Sequence, residues 1–220
     1  MARAIESRLR EATRRPAGGN GHLAPPPGFS DRDGSGWSAE PSPVATARVG
    51  LWILLVAVTM LFIAFTVSYF SRRSAPDWTS VPLPGILWVN TAVLLVSSGV
   101  LEWARRSRGR GDVDGMRRRL AWAGGLGLLF LLGQIAAWRA LAAAGVFMSS
   151  SPHSAFFYLL TAVHGLHLLG GLGGLGYAIS RSSRSIPGGP AAAVPAVEGA
   201  TLFWHFLAAL WVYVLIIISV

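Results

Sequence analysis

The side chains most able to do chemistry in this sequence lie in its last third: His164, His167, Glu198 and His205. His164 and His167 are three residues apart and would share a helix face. Glu198 and His205 are seven apart, two helical turns, and would point the same way. If the two segments are antiparallel neighbours, His167 and His205 fall at comparable depth, roughly 10–20 Å from one end at 1.5 Å per residue. That placement predicts a small buried polar cluster of all four groups. Three chemistries are open to it. Facing imidazoles can ligate a b-type haem, histidines with a carboxylate can hold a metal ion, and the same groups can clamp two helices by hydrogen bonds while touching a lipid headgroup. The residues alone leave all three open.

Beside the histidines, Gly170, Gly171, Gly173, Gly174 and Gly176 remove side-chain bulk. The Gly170/Gly174 pair has the GxxxG spacing, which predicts close approach of a neighbouring helix at that pair. Glu102, followed by Arg105 and Arg106, predicts an ion-paired carboxylate near a membrane interface.

The elements that position these groups follow from composition. The chain has 220 residues, 52% of them hydrophobic and 13% charged, an apolar content that makes a bilayer its natural solvent. Five apolar runs, approximately 48–70, 85–104, 120–139, 154–180 and 198–219, each approach the roughly 20 residues that span a hydrocarbon core. Helices are expected, because backbone groups facing lipid must be paired within the segment. The fold class is therefore all-α: a polytopic membrane protein with a bundle of five transmembrane helices over 47–220. Residues 1–46, rich in Arg, Pro, Gly and Ser, are expected to form a disordered cytoplasmic arm.

Cysteine is absent, which excludes disulfides, thiolate metal sites and cysteine nucleophiles. The net charge of +9 is explained by membrane topology, so no nucleic-acid partner is expected. Sixteen of the nineteen arginines fall on the side holding the arm, the 105–119 loop and the 181–197 loop, leaving Arg72, Arg73 and Arg139 opposite. The positive-inside rule then puts the N-terminus in the cytoplasm and the C-terminus outside. The basic 105–119 loop reads first as a topological anchor and secondly as a segment that meets anionic headgroups, and the Gly/Pro/Ala-rich 181–197 loop reads as a flexible connector.

Four ordered segments resemble one family. Phe157 to Gly171, with Thr161-Ala162-Val163-His164-Gly165-Leu166-His167 at its centre, resembles the H-G-L-H helix of cytochrome c oxidase subunit III. Glu198 through Trp204-His205-Phe206 to Trp211 is similar to the last helix of that family. Leu83-Pro84, Asn90-Thr91-Ala92-Val93-Leu94-Leu95 and Ser97-Ser98 match its L-N-T-x-x-L-L-x-S pattern, and Gln134 with Trp138 is similar to a third signature.

The resemblance implies a subunit without haem or copper of its own, bound mainly to the haem-copper subunit I and also to subunit II, in a bacterial-type plasma membrane. It would stabilise the catalytic subunit, support proton uptake and hold structural phospholipid. His164, His167, Glu198, Trp204 and His205 would then be structural or lipid-contacting. The alternatives are an accessory subunit of a quinol oxidase or nitric oxide reductase and, in another class, a haem b-binding membrane anchor. Two departures stand out. The family form has seven helices and this chain matches its last five, and Val58 and Ala137 occupy positions where the family usually carries carboxylates.

Overall fold

A computed structural model describes residues 43–107, 112–182 and 193–219. The expected arm lies outside these residues, except that Pro43–Thr46 form the start of a helix. Five helices follow in order: α1 Pro43–Arg73, α2 Ile86–Ser107, α3 Val113–Ala143, α4 Pro152–Arg181 and α5 Val194–Ser219. All five are long and apolar enough to cross a membrane, and no strand occurs among the described residues. Each helix is longer than its expected span, although α2 begins one residue later than expected. The basic 105–119 segment is therefore mostly helical: Arg105 and Arg106 close α2, Arg117 to Arg119 lie in the opening turns of α3, and only 108–111 lie outside the described residues. Of the 181–197 connector, 183–192 lie outside them too, and α5 has begun by Val194.

Local chemistry sets the ends. Asp112 caps α3 by accepting the Gly115 amide at 2.8 Å, satisfying one of the amides a helix start leaves unpaired. At the other end, Gly145 adopts φ +77°, a left-handed conformation that Cβ-bearing residues disfavour. The Gly145 amide donates to Ala142 O and the Val146 amide to Leu141 O, so the last carbonyls of α3 are satisfied in a Schellman closure. Ser151 and Ser154 form a reciprocal capping box ahead of α4, with Pro152 at the first helical position, where its missing N–H costs no bond.

Helices α2, α3, α4 and α5 pack as a closed ring, each against the next and α5 back against α2, while α1 lies on the outer edge formed by α4 and α5. Lipid tails are as apolar as leucine, so this ring is held by close packing and interhelical hydrogen bonds rather than by hydrophobic exclusion. Two glycines mark the tightest approaches. A Cβ on Gly127 would fall 2.5 Å from the Trp204 ring, and one on Gly133 would lie 2.1 Å from Asn90 Oδ1. Between α2 and α3, Asn90 Nδ2 donates to Phe130 O at 2.9 Å and Ser97 Oγ to Ala123 O at 2.8 Å. Trp211 Nε1 donates to Thr91 Oγ1 at 2.9 Å between α5 and α2. Trp138 Nε1 donates to Thr161 Oγ1 at 3.1 Å between α3 and α4.

Candidate functional site

The expected cluster of four polar groups does not assemble; each turns to a different neighbour. His164 is wholly buried, its ring 5.0 Å from that of Trp211 and 5.8 Å, edge-on, from that of Phe130. His167 lies 60° further round α4 and leaves the core: its Nδ1–H donates to the Val163 carbonyl at 2.7 Å, and its ring meets Phe62 of α1 at 6.1 Å. Glu198 sits 3.5 Å from Arg48 and ties the start of α5 to that of α1. His205 looks toward α2, with Nδ1 2.5 Å from Ser98 Oγ and Nε2 3.7 Å from Glu102. Trp204 is fully buried against Gly127 and Gly171.

Glu102 takes the pairing read from its spacing. Arg105 holds it with two hydrogen bonds of 2.8 Å and Arg106 adds a third at 2.9 Å, so a carboxylate in a spanning helix is fully opposed by charge. Next to it, Arg119 reaches across from α3. Its guanidinium lies 4.3 Å from the centre of the Trp103 ring, and it donates to Ser107 Oγ. These contacts fasten the arginine-rich ends of α2 and α3 together.

The glycine expectation needs correction. A Cβ on Gly170 or Gly174 would meet nothing within 4 Å, whereas one on Gly171 would touch Leu207, Trp204 and Phe203 at 3.4–3.5 Å. The buried stripe of α4 runs through Phe157, Leu160, His164, Leu168, Gly171 and Leu175. Of the glycine run only Gly171 lies on that stripe, so the GxxxG pair faces outward and the close α4–α5 contact is made one position away.

Three polar positions escaped the sequence reading. His153 joins three segments: Nδ1 accepts the Val81 amide at 3.2 Å, leaving Nε2–H to donate to Ile218 O at 3.2 Å. Trp78 and Tyr69 box its ring. Ser98, read only as part of the L-N-T-x-x-L-L-x-S signature, is the partner of His205. Gln134, read only as a signature residue, is 3% exposed with both amide atoms unpaired among the described residues. Val58 and Ala137, the two positions without the family's carboxylates, are also buried, at 3% and 0% exposure. The interior there is apolar packing.

The arrangement does not suit ligation. Among the described residues no group of three or more His, Asp or Glu side chains is arranged to hold a metal ion. The rings of Trp211 and Phe130 lie against His164, and His205 is engaged by Ser98. Of the four groups, Glu198 and His205 each reach a neighbouring helix. At the arginine-rich end, α1, α4 and α5 enclose an open cleft of about 610 Å³ lined by Arg48, Leu51, Trp52, Tyr177, Arg181, Glu198 and Leu202, among others.

Comparison with known proteins gives a consistent result. The family model for cytochrome c oxidase subunit III matches residues 40–220. A Mycobacterium bovis protein described as "Probable cytochrome c oxidase subunit 3" is 32% identical over 169 residues, covering 74% of this chain and 82% of the relative. "Cytochrome c oxidase subunit 3" of Synechocystis is 28% identical, covering 77% of this chain and 73% of the relative. The protein of that name in Corynebacterium diphtheriae is 29% identical, covering 74% and 82%.

Proposed function

The chain belongs to the cytochrome c oxidase subunit III family and is a subunit III of a haem-copper oxidase, and from that premise we propose that it acts there as a cofactor-free scaffold for the catalytic subunit. The observation that carries this reading is that Asn90, Ser97, Trp138 and Trp211 each bond from one helix to another within a bundle that the family match spans whole. Such a bundle offers a fixed surface. Haem, copper, dioxygen reduction and proton pumping belong to its partners, subunit I as the main contact and subunit II beside it.

Phospholipid is the small molecule this subunit holds. The cleft between α1, α4 and α5 pairs the arginines Arg48 and Arg181 with Leu51, Trp52 and Leu202. That combination suits an anionic headgroup with its acyl chains alongside. The arginine-rich end faces the cytoplasm of a bacterial-type plasma membrane, and the C-terminus faces outward.

Native purification from mild detergent followed by mass spectrometry tests the assignment. The expected result is co-purification with a haem-copper subunit and bound phospholipid. Recovery of the chain as a stable monomer without a large partner would overturn it.

A further inference from the structure

Besides the indole Nε1 of the fully buried Trp204, His164 and Gln134 are the buried side chains whose polar atoms all lack a hydrogen-bond partner among the described residues. His164 is 0% exposed and Gln134 3%. Both ring nitrogens of the first and both amide atoms of the second lack a hydrogen bond among the described residues. They also share a level. As alternate spans of an up-down bundle, α3 and α5 run parallel, and Gly127 faces Trp204; seven residues further along each helix stand Gln134 and Trp211. The Trp211 ring lies 5.0 Å from that of His164. On the α4-facing stripe of α3, the turn before Gln134 carries Phe130, whose ring meets His164. The turn after it carries Trp138, bonded to Thr161.

The nearest polar groups have partners elsewhere. Asn90 Nδ2 is bound to Phe130 O, and Trp211 Nε1 and Thr91 are bound to each other. A direct bond between Gln134 and His164 would not complete the accounting. A neutral imidazole has one donor and one acceptor on opposite sides of the ring, and an amide has two donors and a carbonyl. One direct contact would still strand a ring nitrogen and an amide atom in an interior that cannot solvate them. Water both donates and accepts and can serve the atoms a direct bond would strand: one molecule joins a ring nitrogen to the amide, and a second meets the ring nitrogen on the far side.

We propose that Gln134 and His164 form a binding site for water inside the bundle, bridging α3 to α4 at the level of Trp211. The site lies within this chain, away from the cleft between α1, α4 and α5, and it ties the two helices through solvent rather than through side chains. Its loss leaves both polar groups unpaired, so Gln134→Leu weakens the complex more than the change in volume accounts for, and adding His164→Phe restores part of the loss.

The test uses the full chain in its complex, with ¹⁵N-labelled histidine and magnetisation transfer from water protons to the imidazole N–H groups. The chain has five histidines, and the His164 signal is assigned by its loss in His164→Phe. The expected result is transfer from water to His164 in the unmodified protein, reduced several-fold in Gln134→Leu. Absence of transfer in the unmodified complex, or transfer indifferent to Gln134→Leu, would overturn the proposal. Should the variants fail to assemble, a high-resolution map of the unmodified complex decides. Ordered solvent density within about 3 Å of both side chains supports the site, and a direct Gln134–His164 bond without such density refutes it.

Discussion

The tolerance of single positions follows from which way each side chain faces. Gly127 abuts the Trp204 ring, while Gly174 faces open space. Gly127→Leu forces a buried indole aside and is expected to cost about 1–3 kcal/mol of bundle stability, the usual range for overpacking. Gly174→Leu is expected to leave thermal unfolding in detergent unchanged. Equal effects of the two changes would contradict the placement of the α3–α5 contact. Trp211→Phe keeps the ring packed against Phe130 and His164 but deletes the bond to Thr91. Its expected cost is about 0.6–2 kcal/mol, the range for polar contacts between membrane helices, and Thr91→Val in the same background should add little if the bond is the shared cause.

Helix positions and helix rotations were unequally legible in the sequence. Hydropathy located all five spans, because apolar length is what a bilayer selects and it is visible residue by residue. Rotation was hidden. α4 is apolar or glycine nearly all round, so no polar face marks its outer side, and the GxxxG spacing points to Gly170 and Gly174 where Gly171 makes the contact. The same blindness gathered His164, His167, Glu198 and His205 into one cluster, since shared depth was readable but the neighbour each would face was not. Glu102 was placed correctly because its partners lie on its own helix, within one turn. Helix ends carry explicit signals: Asp112 and Gly145 each terminate α3 by local chemistry. Asp112→Ala and Gly145→Ala are each expected to lower stability by about 1 kcal/mol, through a lost cap and a strained φ respectively, as read by calorimetry of the purified complex. Arg48→Ala is expected to change it far less, because the Arg48 side chain is largely exposed in its pair with Glu198 and exposed pairs contribute little.

At the scale of the molecule, the uneven distribution of arginine and the closed helix ring argue for a fixed orientation and a scaffolding role. The absence of native cysteine makes orientation directly measurable, since any introduced thiol reports only itself. In intact cells a membrane-impermeant reagent should label Ser149→Cys and spare Asp114→Cys, and the reverse pattern would invert the topology. Several polar side chains of the ring of α2 to α5 are engaged in interhelical bonds, and the proposed role leaves porphyrin binding to other subunits. The most direct test is to release a tagged copy of this chain from the purified oxidase and record optical spectra of both fractions. The account predicts that all haem absorbance stays with the remaining subunits, in a complex that has become less stable, and that the released chain is colourless. A Soret band travelling with the released chain, abolished by His205→Ala, would contradict it.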